Sequence, residues 1–300
     1  MASIEVIINA AGGSFVEGET EKLLVDAFSS HGLEANFRFA QSGEDIGKFA
    51  EAAAKSGASI VVAGGGDGTI SSVAGIVQGT GKTFGVLPLG TLNNFSKDLG
   101  IPQEIDEAVG VIAGGITAEI DVAEVNGRIF INNSSIGLYP SIVRKREQQQ
   151  RLGKGKWWAA FWSALQMFRR GRFVHVRIEA DGKSFRRKTP FVFVGNNEYE
   201  MDLYNIGRRS AVDQGKLSVY FLHRGGRMGV VVMLLKTLTG TVKQWHEFEE
   251  VVTEEVTIET RRGLMPVALD GEVAALETPL VYRSLPRSLK VIVPAPEEAK

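Results

Sequence analysis

Short apolar runs alternate with helical patterns along the first third of the chain. Ile4–Asn9 is an apolar, β-branched run, and a pattern typical of an amphipathic helix follows it from Glu19 to His31. The same alternation repeats through the runs LEANFRF, SIVVAGG and TFGVLPLG, and the last helical pattern covers Ile105–Ala113. Strands that alternate with helices predict right-handed βαβ units and a mostly parallel sheet. In such a sheet, ligands bind at the carboxyl ends of the strands.

After about Ile116, apolar residues alternate with polar ones instead. Asn126-Gly127 lies between two such alternating runs, and this dipeptide is the strongest short-range signal for a β-hairpin. Asp181-Gly182 lies between two further runs of the same kind. Short alternating runs continue almost to the C-terminus, so the sequence predicts a β-rich second domain of the sandwich type.

The fold class predicted from these patterns is an α/β N-terminal domain with a mostly parallel, Rossmann-like sheet, followed by a C-terminal β-sandwich domain. We expect the α/β domain to span residues 1–118 and the sandwich to span residues 119–290. Residues 291–300 form a C-terminal segment for which a return to the first domain stays open.

The overall composition is that of a soluble globular protein. The chain has 300 residues, a hydrophobic fraction of 44%, a charged fraction of 23% and a net charge of −1. A net charge this small creates no global field that would attract nucleic acid, so no nucleic-acid partner is expected. The absence of cysteine excludes disulfides and thiolate chemistry. Because the N-terminus lacks the features of a signal peptide and no apolar run could span a membrane, we expect a cytoplasmic protein.

A glycine-rich loop follows the third predicted strand, where IVVAGGGDGT contains four glycines within the five residues 64–68. Bare backbone at the start of a helix is typical of a phosphate-binding loop. The loop has neither the Lys-Ser/Thr end of a Walker A loop nor the spacing of a dinucleotide fingerprint. Asp67 is therefore either the N-cap of a helix in a tight turn, or an acid that binds Mg²⁺ or accepts a proton beside phosphate.

Two more loops are expected at the same edge of the sheet. PLGTLNNFSKDLG follows the fourth predicted strand, and NAAGG follows the first. Each loop alone is compatible with an ordinary turn. Three such loops at one edge of a parallel sheet favour a ligand site.

The motifs GGGDGT, PLGTLNNFSKDLG and, near the C-terminus, ALDGE together resemble those of the diacylglycerol kinase catalytic family. That family includes bacterial lipid kinases and sphingosine kinases, and it is distantly related to NAD kinases. The resemblance implies an active-site cleft between an α/β nucleotide domain and a β-sandwich. It also implies an ATP- and Mg²⁺-dependent kinase that phosphorylates the hydroxyl of diacylglycerol or a related lipid alcohol.

The resemblance also implies roles for individual residues. Glu272 is expected to be the general base, with Asp270 beside it, and Asp67 is expected to bind the Mg²⁺ that accompanies ATP. The similarity to sphingosine kinases implies the rival assignment, in which Asp67 is itself the base. The nucleotide-binding residues implied by the three loops are Asn9, Ala10, Ala11, Gly12, Gly13, Gly65, Gly66, Asp67, Gly68, Thr69, Gly90, Thr91 and Asn93.

The chain departs from the family pattern at two places. Asn94 stands where the family often has an aspartate, which removes one charge from an acidic network with Asp67 and Asp121. Gln214 stands where some bacterial members have the aspartate of a structural metal site, and the candidate ligand Asp213 is shifted by one residue.

The sequence also contains a basic and aromatic segment that can be recognised without reference to any family. Arg144–Arg172 contains nine Lys or Arg residues, one acid and three of the four tryptophans. The segment is either a core-packing helix with solvated basic ends or an interfacial helix on an anionic membrane surface, since Trp and Lys/Arg favour the headgroup layer. The second alternative predicts a cytoplasmic protein that is peripherally associated with the membrane. The sequence does not decide the oligomeric state, and a homodimer stays open.

Two alternatives to a lipid kinase remain. An NAD-kinase-like enzyme with a soluble substrate would share the GGGDGT loop, but ALDGE and the basic segment disfavour it. A non-catalytic regulator that binds lipid or nucleotide on the same scaffold would fit the departures at Asn94 and Gln214.

Overall fold

The structure is a computed structural model of the chain. It describes residues 3–12, 15–137, 173–200, 208–209, 211–222 and 248–296.

Five helices lie within this part of the chain. They are α1 (Glu19–Ser30), α2 (Gly43–Lys55), α3 (Asp67–Val77), α4 (Asn94–Asp98) and α5 (Ile105–Gly114).

The same residues form eighteen strands. The first nine are β1 (Ile4–Asn9), β2 (Ala35–Ala40), β3 (Ile60–Gly65), β4 (Thr83–Pro88), β5 (Thr117–Val125), β6 (Arg128–Phe130), β7 (Asn133–Gly137), β8 (Val174–Ala180) and β9 (Lys183–Thr189). The others are β10 (Phe191–Asn196), β11 (Tyr199–Glu200), β12 (Arg208–Arg209), β13 (Leu217–Leu222), β14 (Phe248–Thr253), β15 (Glu255–Thr260), β16 (Leu264–Leu269), β17 (Glu272–Glu277) and β18 (Leu280–Ile292).

The first four strands form a parallel sheet in the order β2-β1-β3-β4. Strands β1, β3 and β4 are almost wholly buried, as expected for a parallel sheet that carries helices on both faces. With right-handed crossovers, α1 and α5, which pack on each other, cover one face, and the packed pair α2 and α3 covers the other. The loops after β1, β3 and β4 therefore meet at one edge.

Local capping sets several helix boundaries. The hydroxyl of Ser42 accepts a hydrogen bond of 3.1 Å from the Asp45 N–H and starts α2. Gly115 ends α5 in the left-handed conformation that favours glycine. Helix α3 follows Gly66 and, like α1, α4 and α5, has no hydrogen bond from an N-cap side chain. The first N–H groups of α3 are therefore not satisfied by a capping side chain.

The C-terminal half forms a sandwich of two antiparallel layers. One layer is the six-stranded sheet β14-β13-β10-β7-β16-β17. The other layer continues the first sheet through β18, β15, β8 and β9, with β5 and β6 beside β18. Apolar side chains from both layers fill the space between them, among them Phe130, Val192, Val219, Val267 and Tyr282.

Strand β18 joins the two halves of the molecule. It is 13 residues long, and its first part pairs antiparallel with β15. Strand β5 pairs antiparallel with β18 from Tyr282 to Ile292, and Val291 lies next to Phe84 of β4 in a parallel pairing. Leu289, Val291 and Ile292 consequently belong to the core under the parallel sheet. One continuous sheet therefore runs through both halves.

The predicted fold class, a mostly parallel α/β domain followed by a β-sandwich, is confirmed. The predicted hairpin turns are confirmed as well, since Asn126 and Gly127 have φ angles of 48° and 78°, and Asp181 and Gly182 have φ angles of 48° and 72°. The patterns do not predict α4 or β17. Helix α4 is too short to show a helical period. The end residues of β17, Glu272 and Glu277, are both exposed, so this strand does not show a regular alternation of buried and exposed positions.

Arg144–Arg172 lies outside the described residues. Within the described part, no helix combines the length and the apolarity that crossing a lipid bilayer requires.

Candidate functional site

The loop after β1 is tied to the start of α3. The Asn9 side-chain amide donates a hydrogen bond of 2.9 Å to the Thr69 hydroxyl, and the Asn9 carbonyl oxygen Oδ1 accepts one of 3.1 Å from the Ala11 N–H. Thr69 is buried, so its hydroxyl forms this hydrogen bond within the protein and does not face solvent. Ala10, Ala11 and Gly12 continue the loop, and Gly13 lies outside the described residues.

Close approach requires glycine at two positions, Gly65 at the end of β3 and Gly90 after β4. A Cβ on Gly65 would lie 2.7 Å from the Thr69 side chain. A Cβ on Gly90 would lie 2.4 Å from the Cα of Gly66. The loops after β3 and β4 therefore touch backbone to backbone, and at Gly90 no other residue fits without movement.

Asn93 shapes the second loop from within. It is buried and has a φ of 52°, in the left-handed region. Its Oδ1 accepts a hydrogen bond of 2.9 Å from the Gly90 N–H, and its Nδ2 donates one of 3.2 Å to the Pro88 carbonyl. Thr91 is exposed at the tip of this loop. Of the two side chains of this loop that were predicted to contact the nucleotide, that of Thr91 is open to a ligand, whereas that of Asn93 is bound to its own loop.

The Asp67 carboxylate holds the N-terminus of α4. Its Oδ1 accepts a hydrogen bond of 3.0 Å from the Phe95 N–H, and its Oδ2 accepts one of 3.2 Å from the Asn94 N–H. The Asn94 side-chain amide lies 3.4 Å from the same Oδ2. Oδ2 accepts both of these hydrogen bonds from Asn94, whereas Oδ1 keeps a further lone pair, and the half-buried residue faces the edge where the loops meet. Asp67 thus fixes one loop on the other and retains the capacity to bind a cation.

Asp270 anchors the hairpin between β16 and β17. Its Oδ1 accepts hydrogen bonds of 2.8 Å from the N–H groups of Asn132 and Asn133. Its Oδ2 accepts one of 2.7 Å from the Ile131 N–H and another from the Ser71 hydroxyl of α3. Burial raises the pKa of the Asp270 carboxyl, and the four donors act in the opposite direction. All four lone-pair positions of the carboxylate are occupied.

Glu272 follows this anchor by two residues and reaches the glycine loop. A Cβ on Gly68 would lie 3.3 Å from Oε1 of Glu272. Asp67, the first residue of α3, and Glu272 from the other half of the molecule therefore lie at the same first turn of that helix. Glu272 is exposed to the space between the two halves.

A cavity of about 330 Å³ opens beside Glu272. Its floor is α3, and its walls are the β5–β6 turn and the β16–β17 hairpin. It is lined by Gly68, Ser71, Ser72, Gly75, Gly127, Arg128, Ile129, Leu269, Glu272, Val273 and Ala274.

A buried ion pair that the sequence does not predict connects the end of α4 to β12. Arg209 Nε lies 2.7 Å from Asp98 Oδ2 at the end of α4, and the two side chains are 0% and 5% exposed. The guanidinium also donates to the Ile131 carbonyl at 2.7 Å and to Asn132 Oδ1 at 3.2 Å. The two residues are 111 positions apart, and no local pattern marks Arg209 as functional.

Asp121 and Asp213 lie apart from this edge. Asp121 is fully buried, and its carboxylate accepts hydrogen bonds from the N–H groups of Gly215 and Arg287, the latter at 2.9 Å. Asp213 is exposed, and Gln214 donates its N–H to Asn197 Oδ1 at 3.1 Å. Across the described ranges, no three carboxylates or histidines gather into a metal site.

Comparison with known families agrees with this architecture. Residues 3–125 match the profile of the diacylglycerol kinase catalytic domain, and residues 137–293 match the YegS C-terminal NAD kinase beta sandwich-like domain. The chain belongs to the diacylglycerol kinase family. It is therefore a member of a family of lipid kinases.

Individual relatives support the family. A diacylglycerol kinase of Bacillus subtilis is 25% identical over 297 residues, which is 98% of this chain and 97% of the relative. The protein named probable lipid kinase YegS from Escherichia fergusonii is 31% identical over 160 residues, 52% of this chain and 54% of the relative. An uncharacterised Synechocystis protein is 26% identical over 79% of this chain and 55% of its own length. The chain thus spans about half the length of two of these relatives.

The fold of this family member is also that of a solved structure. A diacylglycerol kinase of Bacillus anthracis superposes with a TM-score of 0.73 at 24% identity, covering 97% of both chains.

We expect Gly90→Ala to destabilise the protein by about 1–3 kcal/mol, because the added methyl overlaps the Gly66 backbone and the loops must separate. Gly66→Ala is the matched control, since its methyl would lie at an ordinary 3.6 Å from Gly90 Cα and its φ is −83°. Urea unfolding of both variants measures the difference. Equal midpoints would contradict the contact between the loops.

We expect Arg209→Met to cost about 3–5 kcal/mol, because it leaves the buried Asp98 carboxylate without its partner. Burial already raises the pKa of Asp98, so protonation favours the folded variant and the loss should be smaller at about pH 5 than at about pH 8. Urea unfolding at both pH values measures it. Arg283→Met, which removes an exposed ion pair with Glu255, is the control and should change stability far less. A loss independent of pH would argue against an unpaired Asp98.

Proposed function

We propose that this chain is an ATP- and Mg²⁺-dependent lipid kinase that transfers the γ-phosphoryl group to the hydroxyl of diacylglycerol or a related lipid alcohol. The observation that carries the proposal is the approach of Glu272 to Gly68, 3.3 Å from the position of a Cβ there. A carboxylate from the second half thereby stands against a glycine loop of the kind that binds phosphate. Membership of a lipid kinase family supports the reaction class.

The nucleotide phosphates would bind over the start of α3. Gly66 and Gly68 present backbone without side chains, and the first turn of α3 has no capping side chain. Free N–H groups at a helix N-terminus, together with the helix dipole, favour a bound anion. Thr91 at the tip of the neighbouring loop adds an exposed hydroxyl.

Asp67 fits a single-carboxylate magnesium site. Its oxygens accept hydrogen bonds from Asn94 and Phe95, and Oδ1 keeps a further lone pair. Magnesium commonly binds one or two carboxylates and completes its shell with phosphate oxygens and water. The bound ion would neutralise phosphate charge, which is the main requirement of phosphoryl transfer.

Glu272 would accept the proton of the lipid hydroxyl. As that oxygen forms its bond to the γ-phosphorus, the bond between this phosphorus and the ADP oxygen breaks, and the hydroxyl proton passes to the Glu272 carboxylate. Asp270 would be a positioning residue, because its four hydrogen bonds fix the turn that carries Glu272.

The reaction itself is the direct test. The protein is incubated with radiolabelled ATP, Mg²⁺ and, separately, diacylglycerol, other lipid alcohols and NAD, and the labelled product is identified. Label in a lipid supports the proposal. Label only in NAD would identify an NAD kinase instead, and nucleotide binding without any labelled product would favour a non-catalytic regulator.

We expect Glu272→Gln to lower kcat by about 10²–10⁴, with the ATP and Mg²⁺ dependence little changed, because only the proton acceptor is removed. Asp67→Asn should instead raise the Mg²⁺ concentration needed for half-maximal activity. Steady-state kinetics over a range of Mg²⁺ concentrations, with circular dichroism to verify folding, separates the two roles. If Glu272→Gln keeps full activity while Asp67→Asn is inactive at every Mg²⁺ concentration, Asp67 is the base.

The lipid substrate implies work at a membrane surface, and we place the protein in the cytoplasm with peripheral membrane association through Arg144–Arg172. Binding to anionic vesicles should weaken as salt rises, since exposed charges are screened over about 8–10 Å at physiological ionic strength. Replacing Trp157 and Trp162 with Ala should weaken vesicle sedimentation even in low salt. A folded double variant that binds as tightly as the wild type would exclude this segment as the anchor.

A further inference from the structure

The cavity beside Glu272 has the size and lining of a headgroup site. Its volume of about 330 Å³ lies at the lower end of the roughly 300–1,000 Å³ typical of ligand pockets. One water takes about 30 Å³ in the liquid, so the space holds a small polar group and not long acyl chains. Its floor is a face of α3 formed by Gly68, Ser72 and Gly75, whose small side chains or lack of a side chain leave the space open.

The walls of the cavity are held in place by specific contacts. A Cβ on Gly75 would lie 3.2 Å from Ile129, so α3 and β6 are in close contact at that end. The turn before β6 is clamped by Asn126, whose side-chain amide donates to the carbonyls of Glu277 and Pro279 at 2.9 and 3.2 Å. The backbone that carries Arg128 is therefore fixed.

Two charges of opposite sign stand at the two ends of this space. Glu272 and Arg128 are the charged residues of the lining. Glu272 lies over Gly68, and Arg128 is adjacent to Ile129, which packs on Gly75. Seven residues separate Gly68 from Gly75 along α3, so at about 1.5 Å per residue the two ends are roughly 10 Å apart. Arg128 is exposed and forms no ion pair with any described residue.

We propose that this cavity binds the polar headgroup of the acceptor and that Arg128 selects an acceptor carrying a phosphate ester beside the reacting hydroxyl. The inference rests on the kinase function proposed above. With the hydroxyl at Glu272, a phosphate on the same glycerol unit extends toward the guanidinium, whose fork of N–H groups matches phosphate oxygens. The same charge repels an acceptor that carries an ammonium group.

Acceptor kinetics give the first test. Three lipids with hydrocarbon chains of the same length are compared: a monoacylglycerol, its 3-phosphate and a long-chain amino alcohol. Arg128→Ala should lower kcat/KM for the phosphate-bearing lipid about tenfold, mainly through KM, because hydrogen bonds to a charged group are lost. The other two lipids should change less than about twofold. Arg128→Glu should reverse the order of the phosphate-bearing lipid and the amino alcohol.

The matched control is Arg186→Ala, which removes an exposed cation of β9 outside the cavity lining. It should leave all three values of kcat/KM unchanged. If Arg128→Ala and Arg186→Ala behave alike, or if Arg128→Ala weakens all three lipids equally, the selectivity assigned to Arg128 is wrong.

A binding measurement separates this inference from the kinase function. Glycerol 3-phosphate and glycerol are titrated into the protein by calorimetry in the presence of ADP. Glycerol 3-phosphate should bind to the wild type and to Arg186→Ala, but at least about tenfold more weakly to Arg128→Ala. Ser72→Leu, which fills the cavity, should abolish this binding while ADP still binds.

The two proposals can fail separately. Glycerol 3-phosphate binding that depends on Arg128, without phosphorylation of any lipid, supports the cavity and contradicts the kinase function. Phosphorylation of lipids that is unaffected by Arg128→Ala and by Ser72→Leu supports the kinase and overturns the cavity.

Discussion

The buried ion pair between Arg209 and Asp98 determines how the two halves of the cleft stand against each other. Removing both charges from water costs several kcal/mol per ion, so the pair is favourable only in a geometry that satisfies its remaining hydrogen bonds. Arg209 meets that condition by donating to Ile131 and Asn132 as well as to Asp98. The observed placement of α4 against the second half satisfies all of these donors.

From this pair, a chain of contacts leads to both acidic residues of the site. Helix α4 is held at its far end by Arg209 and at its near end by the Asp67 carboxylate. The segment that receives Arg209 also donates its N–H groups to Asp270, two residues before Glu272. Asp67 and Glu272 are therefore placed from opposite sides by one connected network. Charged groups fixed before the substrate arrives need no reorganisation during the reaction.

Much of this arrangement could be predicted from the sequence, because its signals are local. Parallel strands place their following loops at one edge, so the meeting of the loops at Asn9, Gly66 and Gly90 follows from strand order alone. The sequence could not tell which glycines are needed for ligand binding and which for packing. A bound phosphate and a neighbouring loop both require a residue without a Cβ. Gly65 and Gly90 are explained by packing within the protein.

No local sequence pattern predicts the contacts between the two halves of the molecule. Ser71 and Asp270 are 199 positions apart, and Arg209 and Asp98 are 111 apart, so neither pair belongs to any repeat or spacing. The turn at Asp270-Gly271 resembles the other Asn-Gly and Asp-Gly turns in its positive φ angles of 46° and 93°. It differs from them in the four hydrogen bonds accepted by its carboxylate, which only the folded structure brings together.

Strand β18 has a consequence for the order in which the protein folds. The parallel sheet is built from the first residues of the chain, but its core also contains Leu289, Val291 and Ile292. During synthesis from the N-terminus, β4 has no partner on that side until the strand beginning at Leu280 leaves the ribosome. Contacts between such distant parts of a chain form slowly, and an unpaired strand edge is open to association with other chains. The edge of β4 in the nascent N-terminal half therefore stays unpaired until the strand that begins at Leu280 has been made.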